Sequence, residues 1–186
     1  MNERLEKLRK LMKERHLDAY LVPTSDFHES EYVGEYFKCR KFLTGFTGSA
    51  GTAVVTADDA GMWTDGRYFV QAAKQLKDSG FTLQKMGQEG VPSINEYLQK
   101  VMPEGGKLGF DGRVINDQMG EGLQEALEDK HVTISYEEDL VGEIWENRPA
   151  LSAEPVWILE EKYAEKSEAF LRFVEAYATG RDDKKL

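Results

Sequence analysis

The residue types best suited to chemistry are scarce in this chain of 186 residues, which has three histidines and one cysteine. Only His28 stands among partners. In Asp26-Phe27-His28-Glu29-Ser30-Glu31-Tyr32, three carboxylates crowd one imidazole. That composition suits a metal corner or an acid/base pair. It also suits a helix start, where carboxylates accept from free amides and oppose the positive end of the dipole. The helix start is the favoured reading. His16 closes an amphipathic segment, where a cation suits the helix C-terminus, and His131 opens a strand, so both read as structural. No His-Glu-x-x-His, Cys-x-x-Cys or carboxylate-rich calcium loop occurs. Neither a metal site nor a catalytic residue is expected from this chain alone.

Cys39 lies between Lys38 and Arg40, cations that favour a thiolate, yet no histidine is near it in sequence. It reads as a buried or incidental thiol. The stretch that follows, Arg40-Lys41-Phe42-Leu43-Thr44-Gly45-Phe46-Thr47-Gly48-Ser49-Ala50-Gly51, sets a glycine at every third position among strand-forming residues. A phosphate loop needs a strand before its glycines and a helix after them. Here a strand follows instead, which excludes nucleotide binding. The segment, running on to Met62-Trp63-Thr64-Asp65-Gly66-Arg67-Tyr68-Phe69, is suited to presenting a surface.

A net charge of -10 argues against a nucleic-acid groove, which needs clustered cations. The lone cysteine excludes an internal disulfide and suits a reducing compartment. The chain opens on charged residues without an apolar core of a signal peptide, and no apolar run reaches membrane-spanning length. A cytoplasmic protein with no membrane or nucleic-acid partner is expected.

The elements that must position these residues follow from periodicity. Leu5, Leu8, Leu11 and Met12 form one stripe of a helix over residues 3–16. A buried strand follows at 19–22, and a short helix is expected from about Glu29. Residues 52–56 and 61–64 form a hairpin, and Tyr68 begins a helix reaching Leu76. A strand at 81–85, a helix capped by Ser93, a strand at 107–111, a helix at 118–127, a strand at 131–136 and a closing helix at 141–146 complete the pattern. Strands and helices alternate around one hairpin, which predicts an α/β domain with a mixed β-sheet and helices on both faces. The domain is expected over 1–147, a proline-bearing linker over 148–155, and a short extension over 156–186. That extension holds an apolar patch at 156–159 and a helix capped by Ser167 that carries Phe170, Leu171, Val174 and Tyr177.

These motifs together resemble the N-terminal domain of the creatinase, prolidase and aminopeptidase P superfamily, nearest to the three-domain Xaa-Pro aminopeptidases. The resemblance rests on Leu21-Val22-Pro23-Thr24-Ser25-Asp26-Phe27-His28, on the glycine stretch, on Met62-Trp63-Thr64-Asp65-Gly66-Arg67-Tyr68, on Gln71-Ala72-Ala73-Lys74-Gln75-Leu76 and on Ile144-Trp145-Glu146-Asn147-Arg148-Pro149. It spans residues 1 to about 150. It implies a non-catalytic domain, since the family's two divalent metals, commonly manganese, are held by two Asp, one His and two Glu of a later domain. The matching positions would lie beyond Leu186, so a truncated protein is expected, with residues 156–186 opening a second domain.

The resemblance also implies a dimer, in which this domain shapes the substrate end of a neighbouring active site. Its partners would be its own catalytic domain, a homodimer partner and a proline-containing peptide. Arg40, Phe46 and Ser49 are the expected contributors. Phe46 would offer an apolar face to a proline ring and Arg40 would grip a carboxylate. The alternative puts Phe46 in the core and pairs Arg40 with a local acid. Arg67 and His28 complete the candidates, although Asp65 and Arg67 also suit a strand-to-helix corner. A stand-alone peptide- or protein-binding module of the same fold is the competing function. A small acid/base enzyme on His28 and Glu31 is a third.

Overall fold

A computed structural model describes residues 2–154. The expected apolar patch at 156–159 and the helix after Ser167 lie outside the described residues. Met1–Leu151 form one compact unit.

The described chain runs α1 (Glu3–Glu14), β1 (Ala19–Val22), α2 (Cys39–Thr44), β2 (Thr52–Thr56), β3 (Ala60–Thr64), α3 (Phe69–Gln75), β4 (Thr82–Lys85), α4 (Ile94–Val101), β5 (Lys107–Gly109), α5 (Asp117–Leu127), β6 (Thr133–Ser135) and α6 (Leu140–Ile144). The strands form one six-stranded sheet in the order β4-β3-β2-β1-β5-β6. β1, β2 and β3 pair antiparallel, whereas β4 joins β3, β5 joins β1 and β6 joins β5 in parallel. The sheet is therefore mixed, as the alternation of elements predicts.

Strand alternation divides the core into two layers. Tyr20, Val22, Ala53, Val55 and Met62 face one way and pack under α1, α2, α3 and α6 through Leu8, Leu43, Ala72 and Leu140. Ala19, Leu21, Val54, Trp63 and Leu108 face the other way, under α4 and α5, and meet Leu98, Leu123 and Leu127. Burying each large apolar side chain contributes about 1.5–3 kcal/mol, which favours covering both faces. Trp63 lies in the core as expected, with its indole donating to the Pro92 carbonyl at 2.8 Å.

One local expectation is corrected, and one segment takes a form that its content does not suggest. No helix starts near Glu29. The Asp26 carboxylate accepts from the amides of His28 (2.9 Å) and Ser30 (3.0 Å), so a single turn satisfies the donors that a helix start would have left free. Glu29 adopts a left-handed φ of 54°, which stops helical propagation. Conversely, part of the glycine stretch is helical: Cys39–Thr44 forms α2 despite its strand-forming content. Leu43 is fully buried there, Thr44 Oγ1 donates to the Arg40 carbonyl at 2.9 Å, and Gly45 caps the end at φ 77°. That left-handed cap suits glycine, which carries no Cβ penalty.

Candidate functional site

Between α2 and β2 the chain folds over Arg40. Its side chain is only 3% exposed, so burial pulls its pKa down to about 10, still far above neutrality. The charge is satisfied by oxygen dipoles. Nε donates to Thr24 Oγ1 at 2.8 Å, Nη1 to the Phe46 carbonyl at 2.6 Å, and Nη2 to the Gly48 carbonyl. The guanidinium also lies over the Phe46 ring, 4.7 Å from its centroid. Arg40 therefore fastens the glycine loop to the strand-end segment at Thr24.

Of the two readings of this pair, the outward one is corrected for both residues, and the alternative holds for Phe46 in the core but not for an acid partner of Arg40. Phe46 is fully buried and Arg40 nearly so, and the Arg40 partners are a hydroxyl and two carbonyls, not an acid. The reason is mutual: the cation needs the loop carbonyls, and the loop turns tightly enough to supply them because Gly48 has no Cβ. A Cβ there would sit 2.3 Å from Phe46 Cζ and 2.8 Å from Tyr68 Cδ1.

Ser49 and Arg67 remain on the surface, and a hydroxyl pair links their elements. Ser49 Oγ and Tyr68 Oη are 2.7 Å apart, and this contact lowers the Tyr68 pKa. Arg67 forks onto Asp65 through Nε (2.9 Å) and Nη2 (2.8 Å), holding that carboxyl down to about 2. The Asp65 carboxylate also accepts the Arg67 amide at 3.0 Å, the corner cap read from the sequence. Thr47 is tied to α3, its amide donating to Gln75 Oε1 at 2.9 Å. His28 is exposed on the segment between β1 and α2 and does not join this group.

A cavity of about 200 Å³ opens beside the loop, lined by Thr24, Glu31, Tyr32, Lys38, Lys41 and Ser49, with Arg40 and Gly48 behind them. Thus Ser49 and Arg40 meet at one cavity, and Arg67 joins them only through Tyr68. Sequence reasoning missed Lys38, Tyr32 and Tyr68 as neighbours of the loop. Tyr68 sits directly after the Asp65-Gly66-Arg67 corner, and that was the only available signal.

Cys39 stands on the far side of α2. Arg148 Nη2 donates to its sulfur at 3.2 Å, yet burial pushes the thiol up to about 11. The thiol is therefore protonated at neutral pH, as the incidental reading implies. Arg148 also donates to the Asp139 carboxylate at 2.6 Å and stacks over Tyr36 at 3.7 Å. Among the described residues, no group of three or more His, Cys, Asp or Glu side chains is arranged to hold a metal ion. The crowd around His28 does not converge, and no chemical step through a metal follows from these residues.

The Creatinase/Prolidase N-terminal domain profile matches residues 4–141. The chain belongs to this family. Among curated relatives, it is 48% identical over 168 residues to a probable Xaa-Pro aminopeptidase P of Talaromyces marneffei, covering 89% of this chain and 25% of that protein. It is 41% identical over 169 residues to aminopeptidase P2 of Arabidopsis thaliana, covering 88% and 24%. The chain thus spans about a quarter of the length of these relatives.

Among solved structures, it superposes on X-prolyl aminopeptidase of Caenorhabditis elegans, described as a cytosolic enzyme with a di-nuclear active site. The TM-score is 0.79 and the identity 32%, over 96% of this chain and 31% of that one. The N-terminal domain of the cytoplasmic peptidase PepQ of Mycobacterium tuberculosis matches with a TM-score of 0.56 and 32% identity, over 77% of this chain and 99% of that one. Both agree with the mixed six-stranded sheet described above. Among the described residues, no helix is long and apolar enough to cross a membrane.

Proposed function

We propose that this chain serves as the non-catalytic N-terminal domain of a metal-dependent Xaa-Pro peptidase. In that role it would act in the cytoplasm and contribute to a homodimer. The pair of divalent metals, commonly manganese, would reside in a separate catalytic domain. The carrying observation is the family match over 4–141, together with Xaa-Pro aminopeptidase relatives that the chain matches over only a quarter of their length.

The glycine loop would form a wall at the substrate end of a neighbouring active site. Arg40 holds that loop rigid from beneath, and rigid support favours precise presentation of exposed groups. Ser49 is the group it presents, with Tyr68 and the Arg67–Asp65 pair on the adjoining corner after β3, and the cavity lined by Glu31, Lys38 and Lys41 lies beside them. Domain boundaries of 1–147, linker and extension belong to the same proposal.

The test is an assay of the purified chain with manganese and an Xaa-Pro peptide. The expected result is no turnover above a metal-only blank, and turnover by the chain overturns the proposal. In a longer form carrying the catalytic domain, Tyr68→Phe and Ser49→Ala are expected to change KM or kcat. Unchanged kinetics in both would remove the wall role.

A further inference from the structure

Charge is placed unevenly in this protein. Residues 88–139 hold twelve acidic and four basic side chains, and so carry most of the net charge of -10. Asp117, Glu121, Glu125 and Glu128 recur along α5 at three- and four-residue spacing, which places them on one helix face, and all four are exposed. Beside this stripe runs an open groove of about 1100 Å³. Its apolar lining comprises Phe110, Ile115, Val132 and Ile134, with Tyr136 at one wall.

The groove follows β6, the last strand of the sheet, which among the described residues pairs with β5 alone. In that parallel ladder, Thr133 donates to the Gly106 carbonyl at 2.8 Å and the Ser135 carbonyl accepts from Phe110 at 3.0 Å. Successive residues direct their backbone groups to opposite sides of a strand, so the Ile134 amide and carbonyl face the free edge. Proteins usually guard such an edge with a charge, a proline or a bulge. Residues 132–136, Val-Thr-Ile-Ser-Tyr, carry neither charge nor proline, whereas the opposite edge strand β4 carries Lys85.

We propose that the β6 edge and the acidic face of α5 dock an extended, basic segment of a partner protein, which adds to the sheet as a further strand. Backbone pairing at Ile134 sets its register. Alternate apolar side chains settle on Val132, Ile134 and Tyr136, and the intervening Lys or Arg side chains meet Glu121 and Glu125. Charge selects this occupant. A second copy presenting the same edge would bring two acidic stripes together, which is repulsive.

The test uses the full chain and a short peptide of alternating Lys and Val as the probe. Amide hydrogen exchange is read at Ile134, and affinity by fluorescence anisotropy. Binding is expected to slow exchange at Ile134 and to weaken as salt rises from about 50 to about 500 mM. Affinity should fall about tenfold or more in the Glu121→Lys/Glu125→Lys variant, because the charge contacts become repulsive. Both glutamates are exposed, so the variant keeps its core, and circular dichroism verifies this. A peptide of alternating Glu and Val should not bind. Exchange at Ile134 that ignores the Lys-Val peptide, or an affinity indifferent to charge reversal, overturns the proposal.

Discussion

The guanidinium of Arg40 lies 4.7 Å from the centroid of the Phe46 ring and donates to the carbonyl of that same residue at 2.6 Å. One side chain thereby holds both the backbone and the ring of a residue six positions on. The glycine loop takes its shape from that double contact, and each exposed group of the loop depends on it.

Replacing Arg40 with Met is expected to destabilise the domain severely. Thr24 Oγ1 and the carbonyls of Phe46 and Gly48 would lose their donor. An orphaned buried acceptor costs about 1–3 kcal/mol. Arg40→Lys should recover only part of this, because an ammonium lacks the planar fork that reaches all three oxygens. Urea denaturation of both variants measures the difference, and a Met variant as stable as the parent contradicts the anchoring role.

Gly48→Ala places a methyl group 2.3 Å from Phe46 Cζ, in a core with no room to yield because Phe46 is fully buried. Overpacking of this kind costs about 1–3 kcal/mol. Gly34→Ala is the control, since its nearest neighbour would be 3.9 Å away and its φ is not left-handed. Thermal unfolding should show a clear drop for the first and little change for the second.

Cys39 should react slowly with iodoacetamide at pH 8 in the folded chain, and at least about tenfold faster in denaturant, because only the thiolate attacks. Burial raises its pKa from 9.0 to about 11. A pKa raised by folding contributes stability below the unfolded value and loses it as pH climbs through the folded one. Stability should therefore decline between about pH 9 and about pH 11, and the buried hydroxyl of Tyr20, also raised, acts in the same direction. Equal alkylation rates in folded and denatured protein would refute the burial of this thiol.

At the start of α4, Ser93 Oγ accepts the Glu96 amide at 3.2 Å while the Glu96 carboxylate accepts the Ser93 amide at 2.7 Å. Each partner satisfies a donor the helix leaves free. Ser93→Ala should cost about 1 kcal/mol. Glu96→Gln should cost less, since an amide oxygen still accepts. Chemical denaturation of the single and double variants gives their coupling, and strict additivity would show that the two bonds act independently.

Much of the fold was legible because burial writes a period into sequence. The stripe of Leu5, Leu8 and Met12 gave α1, and all three are buried in it. Strand runs at 52–56 and 61–64 predicted the hairpin that Thr52–Thr56 and Ala60–Thr64 form. Ser93 marked the start of α4 because a cap acts through its immediate neighbours. The loop around Glu29 was misread for a related reason. Carboxylates near free amides suit both a helix start and an isolated turn, and composition does not separate them.

The candidate site was less legible, because its contacts join residues distant in the chain. The types and spacing around residues 40–51 marked the glycine loop as special, and the motif order identified its family. Sequence alone thus determined the alternating elements, the two apolar faces and the family. Only the tertiary structure decided that Arg40 and Phe46 turn inward while Ser49 and Arg67 stay out. A buried cation must find oxygens wherever the fold supplies them, and Thr24 and Gly48, on either side of Arg40, come within its reach only once the sheet has formed.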